Sequence, residues 1–137
     1  MIKINVNYDD DYVSKFKVSG HAGYDVSGKD IVCASVSSLV ISSINLALRL
    51  NEKSVVVTQK EGLIDAKVLV HDKVINEVFL NMINMLEELQ KSYKNNIKFI
   101  IPSLLGVLLF MTPISYNGDI TIPVAILSNK LTELLGG

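Results

Sequence analysis

Apolar and polar residues alternate from the start of the chain. Ile2, Ile4 and Val6 are interleaved with Lys3, Asn5 and Asn7. A period of two sends one set of side chains to a buried face and predicts a half-buried strand. Asp9-Asp10-Asp11 reads as the turn that follows; its spacing lacks the ligand pattern and terminal glutamate of a calcium loop. Val13 to Val18 predicts a second strand ending at Ser19-Gly20. Residues 20–32 form a loop carrying Gly20, Gly23 and Gly28. The period then lengthens. Val36, Leu39, Val40, Ile44, Ala47 and Leu48 recur at three and four, which predicts a helix over 33–50. Ile41, Leu46 and Leu50 occupy its remaining surface, so burial against both a sheet and a partner is expected.

The strand and helix periods recur once more. Val55 to Thr58 and Leu63 to Val70 predict strands joined by the turn Lys60-Glu61-Gly62, a second hairpin. Asp72 is a candidate N-cap for a helix over 73–94. Val74, Val78, Met82, Leu86, Leu89 and Tyr93 are expected on its inner face, and Glu77, Glu87, Glu88, Lys91 and Lys94 in water. Met82 and Met85 read as core filler. Residues 1–98 therefore read ββαββα: an α+β domain with a mostly antiparallel sheet and two helices packed on it.

From Phe99 to Gly118 no residue is charged, which sets 99–137 apart as an apolar C-terminal extension. Twenty uncharged residues approach a bilayer span, although Pro102, Pro113 and Thr112, Ser115 and Asn117 shorten the apolar core. Three readings stand open: a membrane anchor, extra core or oligomer surface, and a foreign segment joined at a gene boundary. Residues 99–127 weakly resemble the first apolar segment of a bacterial multi-spanning family with a nucleoside-recognition gate domain, which favours the foreign segment. A membrane partner is expected only if the tail is a true anchor.

Charge and cysteine count narrow the chemistry. The 137 residues carry 13 basic and 14 acidic groups, and residues 1–98 carry 12 of each. No basic surplus suggests nucleic acid, so no direct nucleic-acid partner is expected. One cysteine, Cys33, excludes an internal disulfide framework and a multi-cysteine zinc site. With only His21 and His71 beside it, no metal and no cofactor are expected. The N-terminus lacks the pattern of a signal peptide, so a cytoplasmic, reducing location is expected, where a lone thiol stays free.

The lone thiol has suggestive neighbours. His21 lies twelve positions upstream of Cys33 and Asp30 three upstream, in one glycine-bearing loop that enters a helix. A helix start and a nearby imidazole both activate a thiol. Asp30 is placed to orient the imidazolium as a third group, or simply to cap the helix. Gly23 and Gly28 suit positive-φ turns. The amides near Ala34 and Ser35 are candidate oxyanion donors. The alternative for each residue is structural: an inert buried cysteine, a surface histidine, a capping aspartate.

The string Gly20-His21-Ala22-Gly23-Tyr24 and, after a short glycine-containing stretch, Gly28-Lys29-Asp30-Ile31-Val32-Cys33-Ala34-Ser35-Val36-Ser37 resembles the Prp family of ribosomal-processing cysteine proteases. The resemblance covers residues 1–98. It implies a small α+β protease, a homodimer joined through its helices. It implies removal of a short N-terminal extension from a protein of the large ribosomal subunit, the twenty-seventh in the standard count. Carried over by position, Cys33 is the nucleophile and His21 the general base and then acid. Asp30 matches the motif aspartate, and loop 22–32 is a mobile element that closes over substrate, with Gly20, Gly23, Tyr24, Gly28, Ala34 and Ser35 around the site. The alternative function is a non-catalytic dimeric binding module in ribosome assembly. The tail has no counterpart in the family.

Overall fold

A computed structural model describes residues 1–26 and 28–100, together with the backbone of Ser115, Tyr116, Asp119 and Ile120. The chain divides into two compact units, Met1–Pro102 and Ser103–Gly137. The first holds β1 (Ile2–Asp9), β2 (Tyr12–Gly20), α1 (Ile31–Leu50), β3 (Val55–Lys60), β4 (Leu63–Val68), α2 (Lys73–Ser92) and β5 (Ile97–Ile100). In the second, β6 (Ser115–Tyr116) and β7 (Asp119–Ile120) pair antiparallel. The three readings of the tail otherwise lie outside the described residues.

The predicted hairpins are present, and the sheet order is β3-β4-β2-β1-β5. Every pairing is antiparallel except β1 with β5, which is parallel. The β5 strand was not anticipated, and it turns ββαββα into ββαββαβ. Its alternation is only four residues long and merges with the apolar run that follows, so no period marks it. A register shift between Asn7 and Tyr8 ends the regular part of the β1–β2 ladder.

One face of the sheet is dry. Ile4, Val6, Phe16, Val18, Ala66 and Ile97 are buried there, and the alternate residues face solvent. Helix α1 contributes Val32, Val36, Val40, Ile44 and Ala47 to this core. Helix α2 contributes Ile75, Phe79, Met82, Ile83 and Leu86, a stripe displaced from the predicted one. Val74, expected inside, is 59% exposed. Two apolar rows overlap on α2, and the row carrying Phe79 wins because its ring meets Phe16 at 5.1 Å between centroids. Truncating either ring costs about 3–5 kcal/mol. Buried Asn76 accepts from the Val13 amide at 2.8 Å and donates to the Asp11 carbonyl at 3.3 Å, which fixes the first hairpin turn to α2.

Helix α1 begins two residues earlier than its apolar spacing predicts, at Ile31, because Asp30 caps it. It is long and apolar enough to cross a membrane by length and composition, but its Val32–Ala47 stripe is core. Ile41, Leu46 and Leu50, outside that stripe, stay exposed.

Candidate active site

The loop between β2 and α1 is built by its two ends. At the first, Gly20 closes β2 opposite Ile2, with φ of 91°. A Cβ at Gly20 would collide with the Met1 carbonyl, so the backbone conformation and the space both demand glycine. The Gly20 amide donates to the Gly62 carbonyl at 2.8 Å, which brings the β3–β4 turn under the start of the loop. At the other end Asp30 is the N-cap of α1.

Asp30 holds both ends of the loop with one carboxylate. Its Oδ1 accepts from the Val32 and Cys33 amides, each at 3.0 Å. Its Oδ2 accepts from Tyr24 at 3.1 Å and more weakly from Asp25 at 3.5 Å. The Cys33 N–H foremost holds the Asp30 carboxyl below its ordinary value. Desolvation opposes this, and the Tyr24 and Asp25 amides and the Cys33 side chain add to it. The geometry gives Asp30 the capping role rather than a place behind the imidazole. Gly23 and Gly28 adopt the expected positive φ, at 67° and 84°.

Cys33 is in the first turn of α1, half-buried and reduced. The backbone N–H of Ala22 donates to its sulfur at 3.1 Å. Ala22 is itself 2% exposed, and its carbonyl accepts from the Asn96 side-chain amide at 2.9 Å. The contact fixes the sulfur against the start of the loop. The oxyanion donors expected at Ala34 and Ser35 are already spent. The Ala34 amide goes to the Asp30 carbonyl at 3.1 Å, and helical geometry sends the Ser35 amide to Ile31, whose carbonyl also takes the Ser35 hydroxyl at 2.6 Å. The Ala22 amide is the donor that faces the sulfur.

His21 is exposed and rests over the β3–β4 turn. A Cβ on Gly62 would come within 3.2 Å of its Nε2. No hydrogen bond joins its ring to Cys33 among the described residues. Its backbone is nevertheless close. Because the next amide contacts the sulfur at 3.1 Å, standard bond lengths put the His21 Cα within about 6 Å of that sulfur. That separation is no more than a histidine side chain and one hydrogen bond span. The other histidine, His71, lies against Tyr12 with ring centroids 3.6 Å apart.

The sequence reading missed three contributors: Gly62, Tyr93 and Asn96. The Tyr24 ring meets the Tyr93 ring edge-on at 5.5 Å, so Tyr93 braces the loop rather than serving the core alone. Tyr24 and Val26 are 49% and 65% exposed, as residues that line a substrate path are expected to be. Tyr93 and Asn96 lie far along the chain from the motif, and no local pattern marks them.

A thiol hydrolase needs a free thiol, an imidazole nearby and a donor at the sulfur, and this loop carries a candidate for each. Residues 1–98 match the family described as Cysteine protease Prp, and the chain belongs to that family. It is a cysteine protease. The fold is similar to that of the ribosomal processing protease Prp of Staphylococcus aureus. In complex with a covalently linked product peptide, that structure has a TM-score of 0.70 at 22% identity, over 74% of this chain and 99% of that one. The same protein with a substrate peptide has a TM-score of 0.66 at 21% identity, with the same coverage. A Streptococcus mutans protein is similar at a TM-score of 0.64 and 23% identity, over 74% and 93%. Comparison with curated protein sequences gives no significant match.

Proposed function

We propose that this protease removes the N-terminal extension of a large-subunit ribosomal protein, the twenty-seventh in the standard count, during ribosome maturation in the cytoplasm. The observation that supports the catalytic assignment is the Ala22 N–H on the Cys33 sulfur, a contact made by the residue that follows His21. The name of the similar Staphylococcus aureus enzyme, a ribosomal processing protease with a bound peptide, supports the substrate class.

The proposed steps are those of a thiol protease. The His21 ring rotates off Gly62 and takes the thiol proton of Cys33. The thiolate attacks the scissile carbonyl carbon, and the Ala22 N–H is the donor nearest the oxyanion that forms. The intermediate collapses, His21 returns the proton to the leaving amine, and a thioester remains on Cys33. Water, deprotonated by His21, hydrolyses the thioester and regenerates the thiol. The apolar flank of Tyr24 and Val26 suits an apolar stretch of substrate.

The exposed Ile41, Leu46 and Leu50 on α1 support a homodimer joined through its helices. Leu46→Glu is expected to convert a dimer to a monomer in sedimentation equilibrium; an unchanged mass contradicts that interface. For the reaction, purified extended substrate is incubated with wild type, Cys33→Ala and His21→Ala. Cleavage by wild type alone is expected, and equal activity in all three overturns the assignment.

A further inference from the structure

The near-zero charge of residues 1–98 conceals a strong separation. Through the regular part of the sheet, register places Lys3, Lys15, Lys17, Lys60, Lys67 and Lys98 on the face turned away from the helices. Those are six of the twelve basic residues of that segment. Among the described residues of that part, Asp65 is the one acid, and it pairs with Lys15 at 3.7 Å. All six lysines but Lys17, which is half-buried, are exposed.

The arrangement costs stability. Lys15 stands directly opposite Lys67, and Lys3 beside Lys98 in the parallel register. Like charges so placed repel, whereas a face kept only for solubility mixes both signs. Between the lysines lie neutral hydrogen-bonding groups. Asn5, Asn7, Lys15 and Lys17, with Ile100, line a shallow recess of about 260 Å³. Two ammonium groups and two amides around one recess match a phosphodiester.

We propose that this face docks on the phosphate backbone of structured RNA. Charge complementarity selects a polyanion. No aromatic side chain lies on the regular part of the face, so it offers no stacking platform for single strands and fits a duplex backbone. The choice of RNA over DNA rests on the ribosomal substrate proposed above, since a ribosomal protein is met beside RNA. Docking there would hold the protease near its substrate while the opposite side of the sheet carries the helices. The sequence composition gave no sign of this, because the acids that cancel the lysines lie elsewhere, in the Asp9–Asp11 turn and on α2 among other places.

The test is fluorescence anisotropy of the full chain with a labelled 20-base-pair RNA duplex over a salt series. Binding is expected, with affinity falling linearly in log salt. In the variant Lys3→Gln, Lys17→Gln, Lys67→Gln, the slope should flatten by roughly 2 to 3, since each neutralised phosphate contributes about 0.7 to 0.9. The matching triple arginine variant should keep the wild-type slope, which separates charge from folding. Cleavage of a short peptide, measured in parallel, should be the same in all three proteins; that result tests the protease reading apart from the docking. Absence of RNA binding at low salt overturns the proposal, as does an unchanged slope in the glutamine variant. Equal binding of a DNA duplex, or displacement of RNA by polyglutamate at equal charge, overturns RNA as the occupant.

Discussion

The Asn96 side chain donates to the Ala22 carbonyl at 2.9 Å across 74 positions of sequence. The Ala22 peptide segment thereby links the α2–β5 turn to Cys33, because its own N–H reaches the sulfur at 3.1 Å. Asn96 is tied down in turn, its carbonyl accepting from the Ile2 amide at 2.8 Å. Asn96→Ala should slow alkylation of Cys33 by iodoacetamide about two- to tenfold at neutral pH, the worth of one hydrogen bond. The fold should persist, as read by circular dichroism. An unchanged alkylation rate would show that the Ala22 amide does not depend on Asn96.

Two glycines under the loop are predicted to differ. Gly20→Ala meets backbone, the Met1 carbonyl, and should destabilise the fold by well over the ~1 kcal/mol of positive φ alone. Gly62→Ala has φ of 69° and meets only the His21 ring. It should cost about 1 kcal/mol of stability. It should also shift the His21 imidazole resonances and lower kcat, leaving those of His71 in place. Chemical denaturation and histidine-selective NMR check both.

Acid should release the loop. The folded-state carboxyl of Asp30 titrates below its unfolded value, so its contribution is present above the unfolded pKa, near 4. It is lost as pH falls through the folded value. Protection of the Tyr24 and Asp25 amides from hydrogen exchange, relative to the intrinsic rate at each pH, should fall over that range. Asp30→Asn retains one acceptor oxygen for the helix but presents an amide to Tyr24. It should free the loop at neutral pH with α1 intact, whereas Asp30→Ala loses both. Slow exchange at Tyr24 in Asp30→Asn would contradict the clamp.

Glu87 on α2 behaves oppositely. Burial raises its carboxyl, with Glu88 adding and Lys91 opposing. A raised folded pKa favours the fold below the unfolded value, and that advantage fades as pH rises through the folded one. Glu87→Gln should therefore raise Tm at pH 7, and the gain should vanish below about pH 4. An equal gain at both pH values would contradict the assignment to burial of charge.

The strands and helices were legible where their periods were long. Ile2-Ile4-Val6 and the Val36–Ala47 spacing each repeat enough to fix a face. The β5 strand was not legible, because its four residues run into an apolar tail. The motif residues could be named from Gly20 to Ser37, but their geometry could not. Asp30 read as orienting group or cap, and only its four amide partners decide for the cap. Ala34 and Ser35 lose the oxyanion role because a helix uses those amides itself. Gly62, Tyr93 and Asn96 reach the site through tertiary pairing, which no local pattern encodes.

In the proposed reaction Cys33 carries the acyl group. Intact-mass spectrometry of enzyme quenched in acid during turnover of the extended substrate measures this directly. The predicted result is a population heavier by the mass of the released N-terminal segment, less one water, with the adduct mapping to Cys33 and absent from Cys33→Ala. Turnover by Cys33→Ala, or an adduct on another residue, would contradict it.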